Sequence, residues 1–217
     1  MFITVNGVTL FYEKQGAGNP IILLHGNGEN HTIFHETAAL LSETHAVYLP
    51  DSRGHGESSK VETLSYADMA EDIALLIQAL SLRKPILYGF SDGGIIGLLI
   101  AIQYPNLLSK LIISGANTHP SGLGWFFLWR TRLQYFFTRN PNDRLMAYEP
   151  NITDEELSSI AIPTLILAGE HDVIRLSHTR QIARHVPHST LRILPEETHE
   201  SYVIHSTKLY EYIKDFL

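Results

Sequence analysis

The segment GFSDG, residues 89–93, places a serine between two glycines near the middle of the chain. A short apolar run over 85–90 precedes it, and an apolar helical pattern over 93–104 follows it. A serine at such a strand-to-helix turn adopts a strained backbone conformation, and the flanking glycines remove Cβ atoms that would clash there. The N–H groups that begin the helix favour an anion formed beside the hydroxyl. The pattern therefore predicts a nucleophilic Ser91 rather than a tight turn with an incidental serine.

A serine hydroxyl is a weak nucleophile unless a neighbouring base accepts its proton, so a histidine must share its site. The chain has 12 histidines. His199 follows the last predicted strand, and we expect it at the carboxyl edge of the sheet. His205 is the alternative, within the predicted final helix, while His185 and His188 flank the preceding helix and are interpreted as solvated or capping residues.

The far nitrogen of that imidazole needs a carboxylate, which fixes the tautomer and stabilises the imidazolium. Asp172 lies just after an apolar strand pattern over 164–169 and is the favoured acid. Glu170 is the alternative, because only one or two residues of loop geometry separate the two side chains. The residues predicted for the site are thus Ser91, Asp172 and His199.

Short strands alternate with helices along most of the chain. An Asn6-Gly7 turn joins two alternating patterns at the start, as expected for a β-hairpin. Further strand patterns lie over 21–25, 45–50, 85–90, 110–115, 164–169 and 190–195, and helical patterns lie over 65–80, 93–104, 176–185 and 202–216. This alternation predicts a mainly parallel sheet with helices on both faces and a ligand site at the carboxyl ends of the strands.

Four motifs in this order resemble those of the α/β-hydrolase superfamily. HGNG at 25–28 is similar to its oxyanion loop, DSRGHGES at 51–58 to its D-x-R-G-x-G-x-S turn, 89–93 to its nucleophile elbow and 169–172 to its acid turn. The resemblance runs from the first hairpin to the last helix. It implies the α/β-hydrolase fold and backbone N–H donors from Asn27 and Asp92 for an oxyanion. Asp51 and Arg53 are interpreted as bracing their glycine-rich turn.

Residues 116–160 interrupt the alternation and hold both tryptophans and four of the nine phenylalanines. We interpret this segment as a short helical cap inserted into a core made of 1–115 and 161–217. The insertion is short for the caps typical of the superfamily. Its aromatic residues either pack against the sheet or, through Trp125 and Trp129, line an apolar wall of a substrate pocket.

Composition excludes several classes of protein. The chain has 217 residues, of which 44% are hydrophobic and 18% charged, as in a globular chain with one sizeable core. A formal charge of −7 disfavours binding to nucleic acid or an anionic membrane, and the lack of cysteine excludes disulfides and thiol nucleophiles. No apolar run is long enough for a membrane span, and the first ten residues do not resemble a signal peptide. We expect a cytoplasmic protein that is monomeric or homodimeric.

The sequence has no phosphate loop or dinucleotide fingerprint, so we expect no cofactor. His31 and His35 lie four residues apart, but no third ligand is apparent, so no metal site is expected. We therefore expect a serine hydrolase for small to medium carboxylic esters with an apolar part, acting through an acyl-enzyme. Lactones, thioesters, amides and C–C bonds stay open as substrates. A slow-turnover binding or signalling protein that keeps the three residues as a ligand pocket is the rival.

Overall fold

One eight-stranded sheet organises the fold, which a computed structural model describes for residues 1–217. The strands are β1 (Phe2–Val5), β2 (Val8–Gln15), β3 (Asn19–Leu24), β4 (His45–Pro50), β5 (Ile86–Phe90), β6 (Lys110–Ser114), β7 (Thr164–His171) and β8 (Ser189–Thr198). Their spatial order is β1-β2-β4-β3-β5-β6-β7-β8. The pairs β1–β2 and β2–β4 are antiparallel, and the other pairs are parallel. The mainly parallel sheet predicted from the sequence is confirmed.

The central strands are buried on both faces, which explains their continuous apolar sequences. Along β3, Ile22 and Leu24 pack into the core on one face of the sheet, whereas Leu23 packs into the core on the other. At the sheet edge, Asn6 and Gly7 both have positive φ angles, 45° and 73°, as the two-residue turn of a hairpin requires.

Eight helices accompany the sheet: α1 (His35–Leu41), α2 (Tyr66–Ala79), α3 (Asp92–Gln103), α4 (Trp125–Thr138), α5 (Pro141–Tyr148), α6 (Asp154–Ser158), α7 (Leu176–His185) and α8 (Lys208–Ile213). Helices α1 and α8 cover one face, and α2, α3, α6 and α7 cover the other. The bounds of α2, α3 and α7 lie within one residue of the predicted helices. None of the eight combines the length and the apolar character that a membrane span requires.

The last helix is shorter than predicted. The sequence pattern began it at residue 202, but α8 begins at Lys208, and the chain forms turns over 201–205. Tyr202 and Val203 are fully buried within those turns, so their apolar character reflects packing rather than helical periodicity. His205 has a φ of 48°, and its N–H donates to Ile33 O at 2.9 Å. His205 therefore lies in a turn and not in a helix.

The segment between β6 and β7 contains α4, α5 and α6. Helices α4 and α5 pack against each other, and Thr131 is the one buried residue of α4. Helix α6 begins at a capping box formed by Thr153 and Glu156. Leu157 and Ile160 pack in the same hydrophobic core as α3. The part of the segment around α6 therefore belongs to the core, and only the part with α4 and α5 projects from the sheet.

Candidate active site

Ser91 lies on a sharp turn between β5 and α3. Its φ of 52° and ψ of −113° form a strained conformation for a residue with a side chain. A Cβ on Gly89 would overlap the backbone of Gly93, and a Cβ on Gly93 would overlap the backbone of Leu24. Only glycine fits at these two positions without movement of the main chain. The turn thereby holds Ser91 at the carboxyl end of a central strand.

His199 and Asp172 complete a line of hydrogen bonds that starts at Ser91. His199 Nε2 lies 3.1 Å from Ser91 Oγ, and His199 Nδ1 lies 2.7 Å from Asp172 Oδ1. The Asp172 side chain is fully buried, and its Oδ1 also accepts a hydrogen bond from Ile174 N at 2.8 Å. Because an ionised carboxylate only accepts, Nδ1 carries the imidazole proton and Nε2 is left to accept one from the serine. The three residues predicted from separate parts of the chain thus meet at one place.

The two alternatives for this line lie elsewhere. Glu170 is exposed, and its Oε2 accepts a hydrogen bond from Glu196 N at 3.1 Å. His205 is 58% exposed, with its Nδ1 at 3.5 Å from Glu36 Oε2. Neither residue lines the cavity that contains Ser91.

Two neighbours fix the position of the His199 ring. The Phe90 ring packs against it with centroids 4.8 Å apart. Directly after β6, the chain turns at Gly115 with a φ of 60°, and a Cβ there would overlap the imidazole. The ring therefore packs against main chain at a position that only a glycine leaves open. This contact could not be predicted from the sequence, because Gly115 has only the pattern of a residue that ends a strand.

Asn27 and Asp92 line the same cavity as Ser91. The next N–H along the chain, that of Gly93, donates to His25 O at 3.1 Å, whereas neither Asn27 N nor Asp92 N donates to another atom of the protein. Asp92 is also the first residue of α3, so its N–H lies at the positive end of the helix dipole. Two residues that line the cavity therefore have unpaired N–H groups, and a developing oxyanion requires two such donors.

The Asp92 side chain ties the loop that carries Asn27 to helix α2. Asn27 Nδ2 donates to Asp92 Oδ2 at 2.8 Å, and Tyr66 OH donates to Asp92 Oδ1 at 2.7 Å. Burial raises the pKa of Asp92, and the hydrogen bonds from Tyr66 and Asn27 oppose that rise. The Asn27 side chain thus helps to position the loop. This contact gives a reason for an asparagine at this position, whereas any residue except proline could supply the backbone N–H.

Asp51 and Arg53 have the bracing contacts expected of them. Asp51 Oδ1 accepts from His31 N at 2.7 Å, and its Oδ2 accepts from Glu57 N at 2.8 Å. Arg53 forms two hydrogen bonds of 2.6 Å with the buried carboxylate of Asp72 on α2. Neither Asp51 nor Arg53 lines the cavity.

His25 joins the Asn27 loop to the turn that follows β4. Its Nε2 accepts a hydrogen bond from Ser52 N at 3.0 Å, and its Nδ1 lies 2.8 Å from Gly26 O. Burial, together with the nearby His55, lowers the pKa of His25 to about 4. His25 is therefore a neutral structural link at physiological pH.

A cavity of about 210 Å³ lies next to Ser91. Its apolar walls come from Phe90, Leu123, Phe127, Met146, Val173 and Ile174. Four carboxylate side chains also line it, those of Glu29, Asp92, Glu149 and Glu200, and no lysine or arginine does. The cavity thus combines apolar walls with an excess of negative charge.

Glu29, another acid that lines this cavity, has a strongly raised pKa. Its pKa is raised to about 7, because burial and the charge of Glu200 outweigh the opposing effect of a 2.9 Å hydrogen bond from Gly26 N. Glu29 was not among the residues predicted for the site, and neither was Glu149, whose Oε2 accepts a hydrogen bond from Tyr66 N at 3.1 Å. Isolated glutamates outside a motif resemble ordinary surface residues, so no local signal distinguished them.

Trp125 and Trp129 neither line the cavity nor pack against the sheet, so both alternatives that the sequence offered for them are wrong. Their side chains are 80% and 56% exposed. The wall comes instead from Phe127 on the same helix, together with residues of other elements. Apolar residues occur on every side of α4, so the sequence did not show which face turns toward the sheet.

Comparison with known proteins gives consistent results. The family model of the alpha/beta hydrolase fold matches residues 19–156. The human protein named serine hydrolase BPHL is 29% identical, over 99% of this chain and 85% of its own length. The structure of Est816, an N-acyl homoserine lactone degrading enzyme, has a TM-score of 0.84 at 23% identity and covers 100% of both chains. A thermophilic esterase from Thermogutta terrifontis has a TM-score of 0.82 at 23% identity, over 99% of this chain and 95% of its own.

Proposed function

The chain belongs to the alpha/beta hydrolase family and is an enzyme, and we propose that it hydrolyses small to medium carboxylic esters through an acyl-enzyme on Ser91. The observation that carries this proposal is the line of hydrogen bonds from Ser91 Oγ through His199 to the buried Asp172, at a cavity lined by two residues with unpaired N–H groups. A base held in this way makes a neutral hydroxyl nucleophilic near pH 7.

The first half of the proposed reaction forms the acyl-enzyme. Ser91 Oγ attacks the ester carbonyl carbon while His199 Nε2 accepts the hydroxyl proton. The N–H groups of Asn27 and Asp92 donate to the carbonyl oxygen as it becomes an oxyanion, and the Asp172 carboxylate stabilises the imidazolium. The carbon–oxygen bond to the alcohol then breaks, and the alcohol leaves with the proton from Nε2.

The second half returns the enzyme to its starting state. A water molecule transfers a proton to His199 Nε2 and attacks the acyl carbonyl carbon. The same two N–H donors hold the second oxyanion. The bond to Ser91 Oγ breaks, the oxygen regains its proton from the imidazolium, and the carboxylic acid leaves. The reaction involves no change of oxidation state, and water is the only second substrate.

The cavity favours small, uncharged esters. Its volume of about 210 Å³ lies below the roughly 300–1,000 Å³ of pockets that enclose drug-sized ligands. Its apolar walls favour a short alkyl or aryl group. Acidic side chains line the cavity and no lysine or arginine does, so above pH 7, where Glu29 is also ionised, anionic esters should bind less well than neutral ones of the same shape.

A series of nitrophenyl esters tests the reaction and the cavity together. We expect kcat/KM to rise from the acetate toward acyl chains of about six to eight carbons, at up to about 0.8 kcal/mol per buried CH₂, and then to level off or fall. A nitrophenyl hemisuccinate should react at least about tenfold more slowly than the neutral ester of equal length. No hydrolysis above background in the whole series would contradict an esterase function.

The same assay separates an esterase from a binding protein that retains the three residues. An esterase releases many equivalents of nitrophenol for each protein chain, with a steady rate after any initial burst. A binding protein would release one equivalent at most and then stop. The Ser91→Ala variant supplies the background in both cases, because it lacks only the attacking hydroxyl.

A further inference from the structure

A second group of ionisable side chains lies beside Asp51, and none of its members lines the cavity. Glu13 on β2, His31 just before α1 and His35 at the start of α1 each offer a ligand atom, and these atoms all lie within 4.8 Å of one another. The sequence showed the two histidines four residues apart but not the glutamate, because β2 and α1 come together only in the fold. The ligand that the sequence lacked is therefore supplied by a distant strand.

Two of the distances in this group, one from each histidine to the Glu13 carboxylate, are close to those between the donors of a tetrahedral metal site. His31 Nε2 lies 3.4 Å from Glu13 Oε1, and His35 Nε2 lies 3.1 Å from Glu13 Oε2. Zinc bonds of about 2.0–2.2 Å to nitrogen and oxygen place neighbouring donors roughly 3.3–3.5 Å apart. Small movements of the partly exposed Glu13 and His35 side chains would suffice to seat an ion.

His31 is already oriented for such a role. Its Nδ1 lies 2.8 Å from Asp51 Oδ1, and its side chain is only 8% exposed. The carboxylate accepts the Nδ1 proton, so in the neutral ring the Nε2 lone pair faces the negative Glu13 oxygen. A cation between Nε2 and Glu13 removes that repulsion. A carboxylate behind a histidine ligand, which fixes its tautomer, is a recurrent feature of zinc sites.

We propose that Glu13, His31 and His35 bind one divalent transition-metal ion, with Zn²⁺ as the best match. Two imidazoles and a carboxylate form a ligand set that zinc prefers, whereas calcium and magnesium require mostly oxygen ligands. Solvent reaches the group through Glu13 and His35, which are 34% and 43% exposed, and water can complete the coordination. His31 follows the loop that carries Asn27, so the ion would tie the end of that loop to β2.

Calorimetric titration of the chelator-treated full chain with ZnCl₂ tests this proposal. We expect one ion per chain, and at least about tenfold weaker binding in each of the variants Glu13→Gln and His35→Ala. His188→Ala, which removes an exposed histidine elsewhere, should bind zinc like the wild-type protein. Zinc should also raise the Tm of the wild-type protein more than that of either site variant.

Two control measurements exclude other reasons for a change in zinc binding, namely unfolding of a variant and binding of zinc at His199. Thermal unfolding without metal checks that Glu13→Gln and His35→Ala remain folded, which their partly exposed positions favour. The titration is repeated with His199→Gln, because the imidazole next to Ser91 can also bind zinc. If the tight site disappears in His199→Gln but persists in Glu13→Gln and His35→Ala, or if no site tighter than about 100 μM is found, the proposal is wrong.

Discussion

The two nitrogen atoms of His199 have different partners, and this difference gives the imidazole its proposed role. Nδ1 is committed to the buried Asp172, and Nε2 lies 3.1 Å from Ser91 Oγ. A residue that hydrogen-bonds at the same place but cannot carry a proton between serine and substrate would preserve the fold and abolish the chemistry. The test is therefore a substitution that keeps the size of the side chain.

His199→Gln should lower kcat/KM for a nitrophenyl ester by roughly 10³-fold or more, with an unchanged far-UV spectrum. His205→Gln is the matched control, because this exposed histidine is the nearest rival in the sequence and lies outside the cavity. Its activity should stay within about twofold of wild type. A large loss in His205→Gln together with a small loss in His199→Gln would reverse the assignment.

Because the pKa of Glu29 is raised, we expect the free energy of unfolding to depend on pH. Its folded pKa of about 7 lies above the ordinary value of 4.5, so the folded state holds the proton more tightly than the unfolded state. The resulting stabilisation is complete below about pH 4.5 and is lost as pH rises through 7. Glu29→Gln removes this loss while keeping an acceptor for Gly26 N.

Between pH 5 and pH 8, the free energy of unfolding of Glu29→Gln should therefore rise relative to that of the wild-type protein by on the order of 1–3 kcal/mol. Urea denaturation at the two pH values measures the difference. A constant difference between the two proteins would show that Glu29 titrates as an ordinary exposed acid.

At the residue scale, the predictable part of the site was the part with a motif. Ser91 sits within a glycine pattern, and Asp172 and His199 each follow a strand, so local sequence and topology were sufficient to select them. Glu29 and Gly115 have no such pattern. Their roles depend on which distant groups pack against them, and a single sequence does not specify those contacts.

At the scale of elements, α4 shows what helical periodicity leaves undecided. Its aromatic residues predicted a helix of the insertion but not the side that faces Ser91. Phe127 lines the cavity, whereas Trp125 is 80% exposed. The end of the chain shows the same limit, since the buried Tyr202 and Val203 lie in turns that precede α8. By contrast, the hairpin turn at Asn6-Gly7 and the continuous apolar strands were predictable because their signals are local.

Phe127→Ala should lower the ratio of kcat/KM for octanoate over acetate esters by about fivefold, equal to about 1 kcal/mol of lost apolar contact. Trp125→Ala, on the same helix, should leave this ratio unchanged. Both variants are measured with the same pair of nitrophenyl esters. If the ratio fell in Trp125→Ala and not in Phe127→Ala, the side of α4 that carries Trp125 would line the cavity, contrary to this account.

At the scale of the whole molecule, a buried ion pair joins the turn after β4 to helix α2. Arg53 and Asp72 are 10% and 2% exposed and form two short hydrogen bonds. Removing one partner leaves an uncompensated buried charge, which typically costs about 3–5 kcal/mol. The exposed pair of Arg144 and Glu149, at 3.4 Å, contributes no more than about 1 kcal/mol.

Arg53→Met should therefore lower the free energy of unfolding by about 3–5 kcal/mol, and Arg144→Met by about 1 kcal/mol or less, in urea denaturation. The double variant Arg53→Met/Asp72→Leu should recover much of the loss, because it removes the buried charge as well as its partner. It also provides a measurable protein if the single variant does not fold. Equal effects of Arg53→Met and Arg144→Met would mean that the pair at α2 behaves like an ordinary surface pair.

Covalent labelling tests the central claim most directly, because it reports which atom attacks the substrate. An ethyl nitrophenyl alkylphosphonate is uncharged and resembles the ester, and attack at phosphorus expels nitrophenol and leaves a stable bond to the nucleophile. We expect one phosphonyl group per chain, located on Ser91 by peptide mass spectrometry, with ester hydrolysis lost in proportion to labelling and with little labelling of His199→Gln. A label on another residue, or continued ester hydrolysis by protein fully labelled on Ser91, would contradict the proposed mechanism.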